Sequence, residues 1–498
     1  MAPYPAAATT AHDRRRLDRR RLLRYAFTSR VLLLALIILW RSVLSPYDTS
    51  ASINPPCLSS ADSENPAQVL LPSVGSAIER SIVWDGVYFV RVAECGYEYE
   101  QTYAFLPLLP LCISFLSKTV FAPLVPLIGY RAVLGLSGYV LNNIVFVFAA
   151  LCLYLLSIRV LKDQELAFRS SILFCFNPAS IFYTSIYSES LYAFLTFGGM
   201  NFFINGNDHW ATFCFALSGC ARSNGVLNAG YFCFRTMQRA KETLCSRKCC
   251  IIRMSRILLG GAIRTLFIFA PFISFQTYGY FNICVHRSVD DMRPWCKARL
   301  PLLYNYIQSH YWGVGFLRYF QVKQLPNFLL ASPILSLALC SLACYVKRWP
   351  EVFLSLGLRA SSKEKELAGE QPSTAVFSED VPKVQDDKIL KRRKAIIENE
   401  NLVEQPSRHE AAHRLQFDPV IILPFVIHLG VMAATAFFVM HVQVATRFLS
   451  ASPPLYWFAS GVISSPRVGK RLGHLIWAYC IAYIFLGSVL FSNFYPFT

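Results

Sequence analysis

Residues 84–110 carry the densest mixture of carboxylates and aromatic rings in the chain. The run reads Trp84-Asp85-Gly86-Val87-Tyr88-Phe89, then Ala93-Glu94-Cys95-Gly96-Tyr97-Glu98-Tyr99-Glu100, then Tyr103-Ala104-Phe105-Leu106-Pro107-Leu108-Leu109-Pro110. Partial desolvation raises the basicity of a carboxylate, which suits a general base for a sugar hydroxyl. Aromatic rings suit the same ligand, because a sugar stacks its apolar faces while its hydroxyls hydrogen-bond. The run also fits a plainer role as an interfacial amphipathic helix with its aromatic belt at headgroup level.

Three further clusters place ionisable groups in or beside apolar stretches. Asn177-Pro178-Ala179-Ser180 leads into Tyr187-Ser188-Glu189-Ser190, with Glu189 at the edge of an apolar run. An ionisable residue at membrane depth marks function by default, and a carboxylate capping the next helix is the alternative. Arg222-Ser223-Asn224-Gly225 interrupts an apolar stretch, where Arg222 either meets a ligand, snorkels, or joins an internal ion pair. His441-Val442-Gln443-Val444-Ala445-Thr446-Arg447-Phe448 closes another. The forked donors of Arg447 there suit a phosphate at the membrane surface, or else ordinary lipid headgroups. An acidic, aromatic loop and an arginine facing one compartment fit an enzyme with a lipid-phosphate sugar donor. The carboxylate takes the acceptor's proton and the arginine stabilises the departing phosphate.

The elements that must position these residues are membrane helices. The chain has 498 residues, 54% hydrophobic and only 16% charged, well below the ~25% of soluble domains. The net charge of +18 suggests nucleic acid, but the positive residues lie in short clusters between apolar runs, which excludes that class. About 20 apolar residues span a bilayer, and roughly eleven stretches approach that length: 25–44, 104–121, 132–158, 168–187, 191–204, 210–234, 257–283, 327–345, 417–440, 444–463 and 472–491. Pro107, Pro110, Pro123 and Pro126 mark residues 104–126 as broken or re-entrant, and 168–204 reads as two half-spans or a folded hairpin.

Arginine and lysine placement orients these spans. Residues 1–24 form a basic cytoplasmic N-terminus, followed by an uncleaved anchor, since no small-residue cleavage site follows the apolar run. Basic connectors at 239–256 and 467–471 and a charged segment at 347–416 fall on the same side, with 159–169 the one misfit. Segment 347–416 reads as a largely disordered cytoplasmic loop. It divides a transmembrane core at 25–346, carrying lumenal loops 45–103 and 284–326, from C-terminal helices at 417–498. Most of the 16 cysteines lie in apolar runs, whereas Cys57, Cys95, Cys284 and Cys296 lie in the outside loops and could pair in an oxidising lumen. Adjacent Cys249 and Cys250 in a basic connector are candidates for acylation.

Trp84-Asp85-Gly86 through Glu94-Cys95-Gly96-Tyr97, Tyr99-Glu100 and Ala104 to Pro110 resembles the PIG-V family of glycosylphosphatidylinositol (GPI) mannosyltransferases, as do Tyr187-Ser188-Glu189, Ala221-Arg222-Ser223-Asn224-Gly225 and Gln443-Val444-Ala445-Thr446-Arg447-Phe448. The likeness covers residues 30–345 and 417–494. It implies an all-α polytopic GT-C glycosyltransferase of the endoplasmic reticulum, with about 8–11 transmembrane helices and a lumenal first loop. The implied reaction transfers the second mannose, in α1,6 linkage, from dolichol-phosphate mannose to the GPI-precursor glycolipid, by inversion of a β-linked donor.

The resemblance places the catalytic base at Asp85, and Glu94 and Glu100 as acceptor-positioning or second carboxylates. Arg447 and Gln443 then hold the dolichyl phosphate, Glu189 and Arg222 shape the cavity, and Trp84, Tyr88, Tyr97 and Asn224 complete the substrate-binding set. Relatives that carry a polar residue just after the aspartate differ from Gly86-Val87 here, so Tyr88 would substitute. The absence of an Asp-x-Asp pair agrees with a donor needing neither metal nor cofactor. Membrane lipid and a small membrane subunit complete the expected partners. The rivals are a related enzyme with another acceptor, a non-catalytic subunit, and a transporter, which should show an internal repeat.

Overall fold

Lipid offers the backbone no partners, so a membrane chain satisfies its own hydrogen bonds in helices. The computed structural model describes residues 11–47, 57–58, 69–245, 251–285, 292–359, 418–465 and 469–495, and among these there is no strand. The protein is an all-α polytopic membrane protein. Six helices are long and apolar enough to cross a bilayer: α1 (Ala11–Val43), α6 (Tyr130–Leu161), α12 (Ile251–Cys284), α14 (Leu325–Arg348), α16 (Pro419–Phe438) and α19 (Gly469–Ser492).

Shorter helices complete the chain. They are α2 (Pro72–Ser81), α3 (Asp85–Cys95), α4 (Leu108–Lys118), α5 (Val125–Ile128), α7 (Gln164–Cys175), α8 (Ser180–Thr184), α9 (Glu189–Ile204), α10 (Asp208–Ala221), α11 (Ala229–Cys245), α13 (Leu303–Tyr311), α15 (Pro350–Leu354), α17 (Ala445–Phe448) and α18 (Pro453–Ser464).

The two ends of the bundle are chemically distinct. At one end α1 and α19 finish together, with Arg41 donating to the Ser492 carbonyl at 2.7 Å and the Tyr47 amide to Asn493 at 2.9 Å. At the other, Gln164 donates to Asp18 at 2.5 Å and Arg159 to Asn201 at 2.8 Å. Arg235 and Asp208 pair there too.

Four of the expected spans are folded differently. At 1.5 Å per residue, the 11 residues of α4 reach only about 16 Å. The chain then bends by 66° into residues 122–128. Arg131 at the start of α6 meets Glu94 at 3.0 Å, so both flanks of this segment sit at one end and it is re-entrant. That removes one crossing from the expected topology and returns Arg159 and Arg169 to the basic end, which resolves the misfit.

Residues 168–187 are one broken crossing, interrupted at Asn177-Pro178. Proline cannot continue the helical ladder, and the Asn177 carboxamide accepts from Ala179 N at 2.8 Å and donates to Phe174 O at 2.8 Å. Arg30 of α1, 2% exposed, donates to the freed Cys175 and Ser180 carbonyls and to the Thr184 hydroxyl at 2.8–3.2 Å.

Residues 210–234 are not one span. α10 ends at Arg222, residues 223–228 form a 3-10 turn, and α11 runs back, bringing Tyr231 against Phe215 at 5.6 Å. Residues 444–463 break before Pro453, leaving the 12-residue α18.

The start of segment 347–416 is helical rather than loop: α14 runs to Arg348, and α15 buries Val352 against α14 and α16. The rest of that segment from residue 360 lies outside the described residues, as do Cys249, Cys250 and Arg467. In the outside loops Cys57 pairs with Cys95 and Cys284 with Cys296.

Candidate active site

Asp85 opens α3 directly after a strained residue. Trp84 has φ 53°, a left-handed value that side-chain-bearing residues rarely adopt. Its indole N–H donates to the Phe491 carbonyl at 3.2 Å, and its ring lies 5.8 Å from that of Phe494. The C-terminal end of α19 therefore fixes the turn that aims Asp85. The Asp85 amide donates to the Tyr187 hydroxyl at 3.1 Å.

Glu189 begins α9, and the turn before it is held from α6. The Asn142 carboxamide donates to the carbonyls of Ser185 and Tyr187 at 2.5 and 2.9 Å, and Asn143 donates to Thr184 at 3.1 Å. Two asparagines inside an apolar span are thus explained by the irregular backbone they satisfy. Asn142 lies about 18 Å along α6 from Tyr130 at 1.5 Å per residue, so the site is recessed.

Arg222 sits where α10 reverses, and its tight turn needs glycine. A Cβ on Gly225 would lie 2.3 Å from the Ser218 backbone. Arg222 pairs with the nearly buried Glu189. Arg447, on the single turn of α17, has Nη1 3.1 Å from Asp85 Oδ2 and 3.9 Å from Glu189 Oε1. Its guanidinium lies 5.2 and 5.4 Å from the rings of Phe182 and Tyr187. Two carboxylates and two guanidiniums from four separate segments form a neutral quartet, as sparsely hydrated charges require.

Three of the four, with Glu189 behind them, border a cavity of about 240 Å³, walled by Asp85, Arg222, Asn224 and Arg447 together with Phe105, Tyr187 and His441. Tyr304, Gln308 and Trp312, from α13 and its end, close it from the 284–326 loop. Tyr304 pairs its hydroxyl with Ser223 at 2.8 Å. Burial raises its phenol above the ordinary value, against the opposing hydrogen bond to Ser223, so it stays a neutral hydrogen-bonding group. His441 Nε2 meets the Trp312 carbonyl at 2.7 Å. None of the three α13-side residues was singled out from sequence, although their four-residue spacing places them on one helical face.

The structure thus gathers Asp85, Glu189, Arg222, Asn224 and Arg447, and places the remaining expected site residues elsewhere. Trp84 is a positioning residue anchored to α19. Tyr88 stacks on the outer side of Phe105 at 4.7 Å. The Tyr97 hydroxyl donates to the Phe105 carbonyl at 2.7 Å. Glu94 pairs with Arg131. Glu100 accepts from Trp295 at 2.6 Å and from Tyr311 at 2.8 Å, tying the first loop to the second. Burial and then the Glu100 contact push the Tyr311 phenol up to about 12, so it remains a donor at neutral pH. Gln443 does not border the cavity.

The sequence model of a family described as Mannosyltransferase (PIG-V) matches residues 19–498. The chain is similar to GPI alpha-1,6-mannosyltransferase 2 of Homo sapiens, 30% identical over 90% of this chain and 84% of that protein. It is likewise 30% identical to the protein of that name from Cricetulus griseus, over 90% and 85%. GPI mannosyltransferase 2 of Drosophila pseudoobscura pseudoobscura is 31% identical over 83% of this chain and 86% of that protein. No solved structure matches the chain significantly.

Proposed function

The chain belongs to the PIG-V family of mannosyltransferases, and from that premise we propose that it transfers the second mannose of the GPI anchor, in α1,6 linkage, from dolichol-phosphate mannose to the GPI-precursor glycolipid, at the lumenal face of the endoplasmic reticulum. The observation that carries this reading is the Asp85–Arg447 pair at 3.1 Å beside a recessed cavity. It sets a proton acceptor and a phosphate-binding fork side by side.

Asp85 takes the proton from the acceptor hydroxyl as that oxygen attacks the anomeric carbon. The bond from that carbon to the dolichyl phosphate oxygen breaks on the opposite face, and the β donor gives an α product. A base in this role contributes about 10²–10⁴ in rate. Arg447 pairs with Asp85 and meets the phosphate charge as the leaving group departs. Arg222, held by Glu189, fixes the cavity wall, and Asn224, Tyr304 and Gln308 offer hydrogen bonds to sugar hydroxyls. Donor and acceptor chemistry of this kind needs neither a metal nor a cofactor from the protein.

The lumenal placement and the cytoplasmic N-terminus rest on charge. The arginines in the first half of α1, from Arg14 to Arg24, share the end opposite the cavity with Arg159, Arg169, Arg235, Lys347 and Lys470, and basic residues favour the cytoplasmic side. Disulfides in the loops of the cavity end fit an oxidising compartment. The partners are the two lipid-linked substrates, reticular membrane lipid and a small membrane subunit.

The test is complementation of cells lacking the second GPI mannosyltransferase, scoring surface GPI proteins and accumulated intermediates. Rescue by the wild type, but not by equally expressed Asp85→Asn, is expected. Rescue by both removes Asp85 from the chemistry. Failure of both, with correct localisation, points to a related enzyme with another acceptor.

A further inference from the structure

The basic end of the bundle holds a second cavity, of about 260 Å³, that the transfer reaction does not use. Its walls carry Arg235 and Arg239 of α11 and Arg253, Arg256 and Arg264 of α12, with Asp208 as the one carboxylate. Five guanidiniums face one carboxylate, an excess that no other carboxylate among the described residues of the wall balances. Asp208 pairs with Arg235 and lies 3.7–3.8 Å from Arg264 and Arg239. Among the described residues neither Arg253 nor Arg256 pairs with a carboxylate. Arg235 is further fixed by stacking on Phe203 at 3.4 Å, so part of the wall is rigid before any ligand arrives.

The neighbouring helix surface says what kind of molecule carries the anion. Only 11% of the apolar window of α12 is buried in the protein, against 33–56% for the other five long helices. Ile252, Leu259, Ile263 and Phe267 project from it, each more than half exposed. An apolar helix face beginning at an arginine-lined cavity suits a molecule with acyl chains below a charged head.

We propose that this cavity binds an anionic glycerophospholipid of the leaflet opposite the reaction site, taking its phosphomonoester headgroup between α10, α11 and α12 while its chains lie along α12. Forked guanidiniums match phosphate oxygens in pairs, and basic pockets between membrane helices select multiply charged headgroups over zwitterionic ones. The inference is independent of the reading of the Asp85 site.

Native mass spectrometry of the full-length chain in detergent tests it, with phosphatidic acid, phosphatidylcholine and soluble glycerol 3-phosphate as probes. Phosphatidic acid is expected to bind at least tenfold more tightly than phosphatidylcholine. The double variant Arg253→Gln/Arg256→Gln changes two exposed side chains, so its thermal unfolding should match the wild type while the preference disappears. Arg253→Lys/Arg256→Lys should retain an intermediate preference, because the charge stays and the fork is lost. Equal lipid retention by the wild type and the Gln variant overturns the proposal. So does glycerol 3-phosphate binding as tightly as the lipid, which would make the site one for a soluble anion.

Discussion

Asp85, Glu189, Arg222 and Arg447 have to be considered as one electrostatic unit, because each arginine answers a carboxylate. Replacing Asp85 with Asn keeps the shape and removes the proton acceptor. We expect mannosyl transfer by Asp85→Asn to fall about 10²–10⁴-fold with donor binding largely retained, measured with purified enzyme and labelled dolichol-phosphate mannose. Arg447→Lys keeps charge but loses the fork, so transfer should fall about 10²-fold and exceed that of Arg447→Ala. Equal activity of the Lys variant and the wild type would refute a phosphate-gripping role. Glu189 is the structural member, 2% exposed. Glu189→Gln leaves Arg222 without its counter-ion and should cost about 3–5 kcal/mol of stability, read as a lower unfolding temperature in detergent. The carboxylates that the sequence offered alongside Asp85 are distributed by partner: Glu94 to Arg131, Glu100 to Trp295 and Tyr311.

The helices hold this unit by being interrupted. α7 and α8 break at Pro178, α10 and α11 reverse at Arg222, and α17 and α18 part before Pro453. Each break frees backbone groups in an apolar environment, and at the first of them a side chain from another helix answers. Arg30 does this for α7 and α8. Arg30→Met should leave the Cys175 and Ser180 carbonyls unpartnered at a cost on the order of 3 kcal/mol, seen as a lower unfolding temperature with loss of transfer. An unchanged unfolding temperature would show that water or lipid satisfies those carbonyls instead. At the second break, Gly225→Ala forces the 3-10 turn away from Ser218 and should displace Arg222 and Asn224, lowering activity more than stability.

At the scale of the whole molecule, re-entry of residues 104–128 sets the topology. Val74→Asn, two residues before Ser76, creates a glycosylation acceptor at the cavity end, and Asn207→Ser, two residues after Asn205, creates one at the basic end. Glycosidase-sensitive modification is expected for the first alone. Modification of the second alone would place the cavity in the cytoplasm and defeat the proposed reaction.

Composition, apolar run length and the arginine clusters sufficed to assign a polytopic helical membrane protein, because bilayer thickness and backbone self-sufficiency leave few solutions. The types of Asp85 and Arg447, each in a polar interruption between apolar runs, marked both as candidates for chemistry. Cys57, Cys95, Cys284 and Cys296 were legible as pairing candidates for the same local reason. What the chain order could not encode was distance. Asp85 and Arg447 lie 362 positions apart, and only packing of α3 against the end of α19 and the turn before α9 brings them to 3.1 Å. The role of Glu189 as the counter-ion of Arg222, the reversal at Arg222 and the closure by Tyr304, Gln308 and Trp312 were likewise decided by tertiary structure. An arginine inside an apolar run looks the same locally whether it snorkels, binds a ligand or meets a buried carboxylate, and only the partner's position in space tells these apart.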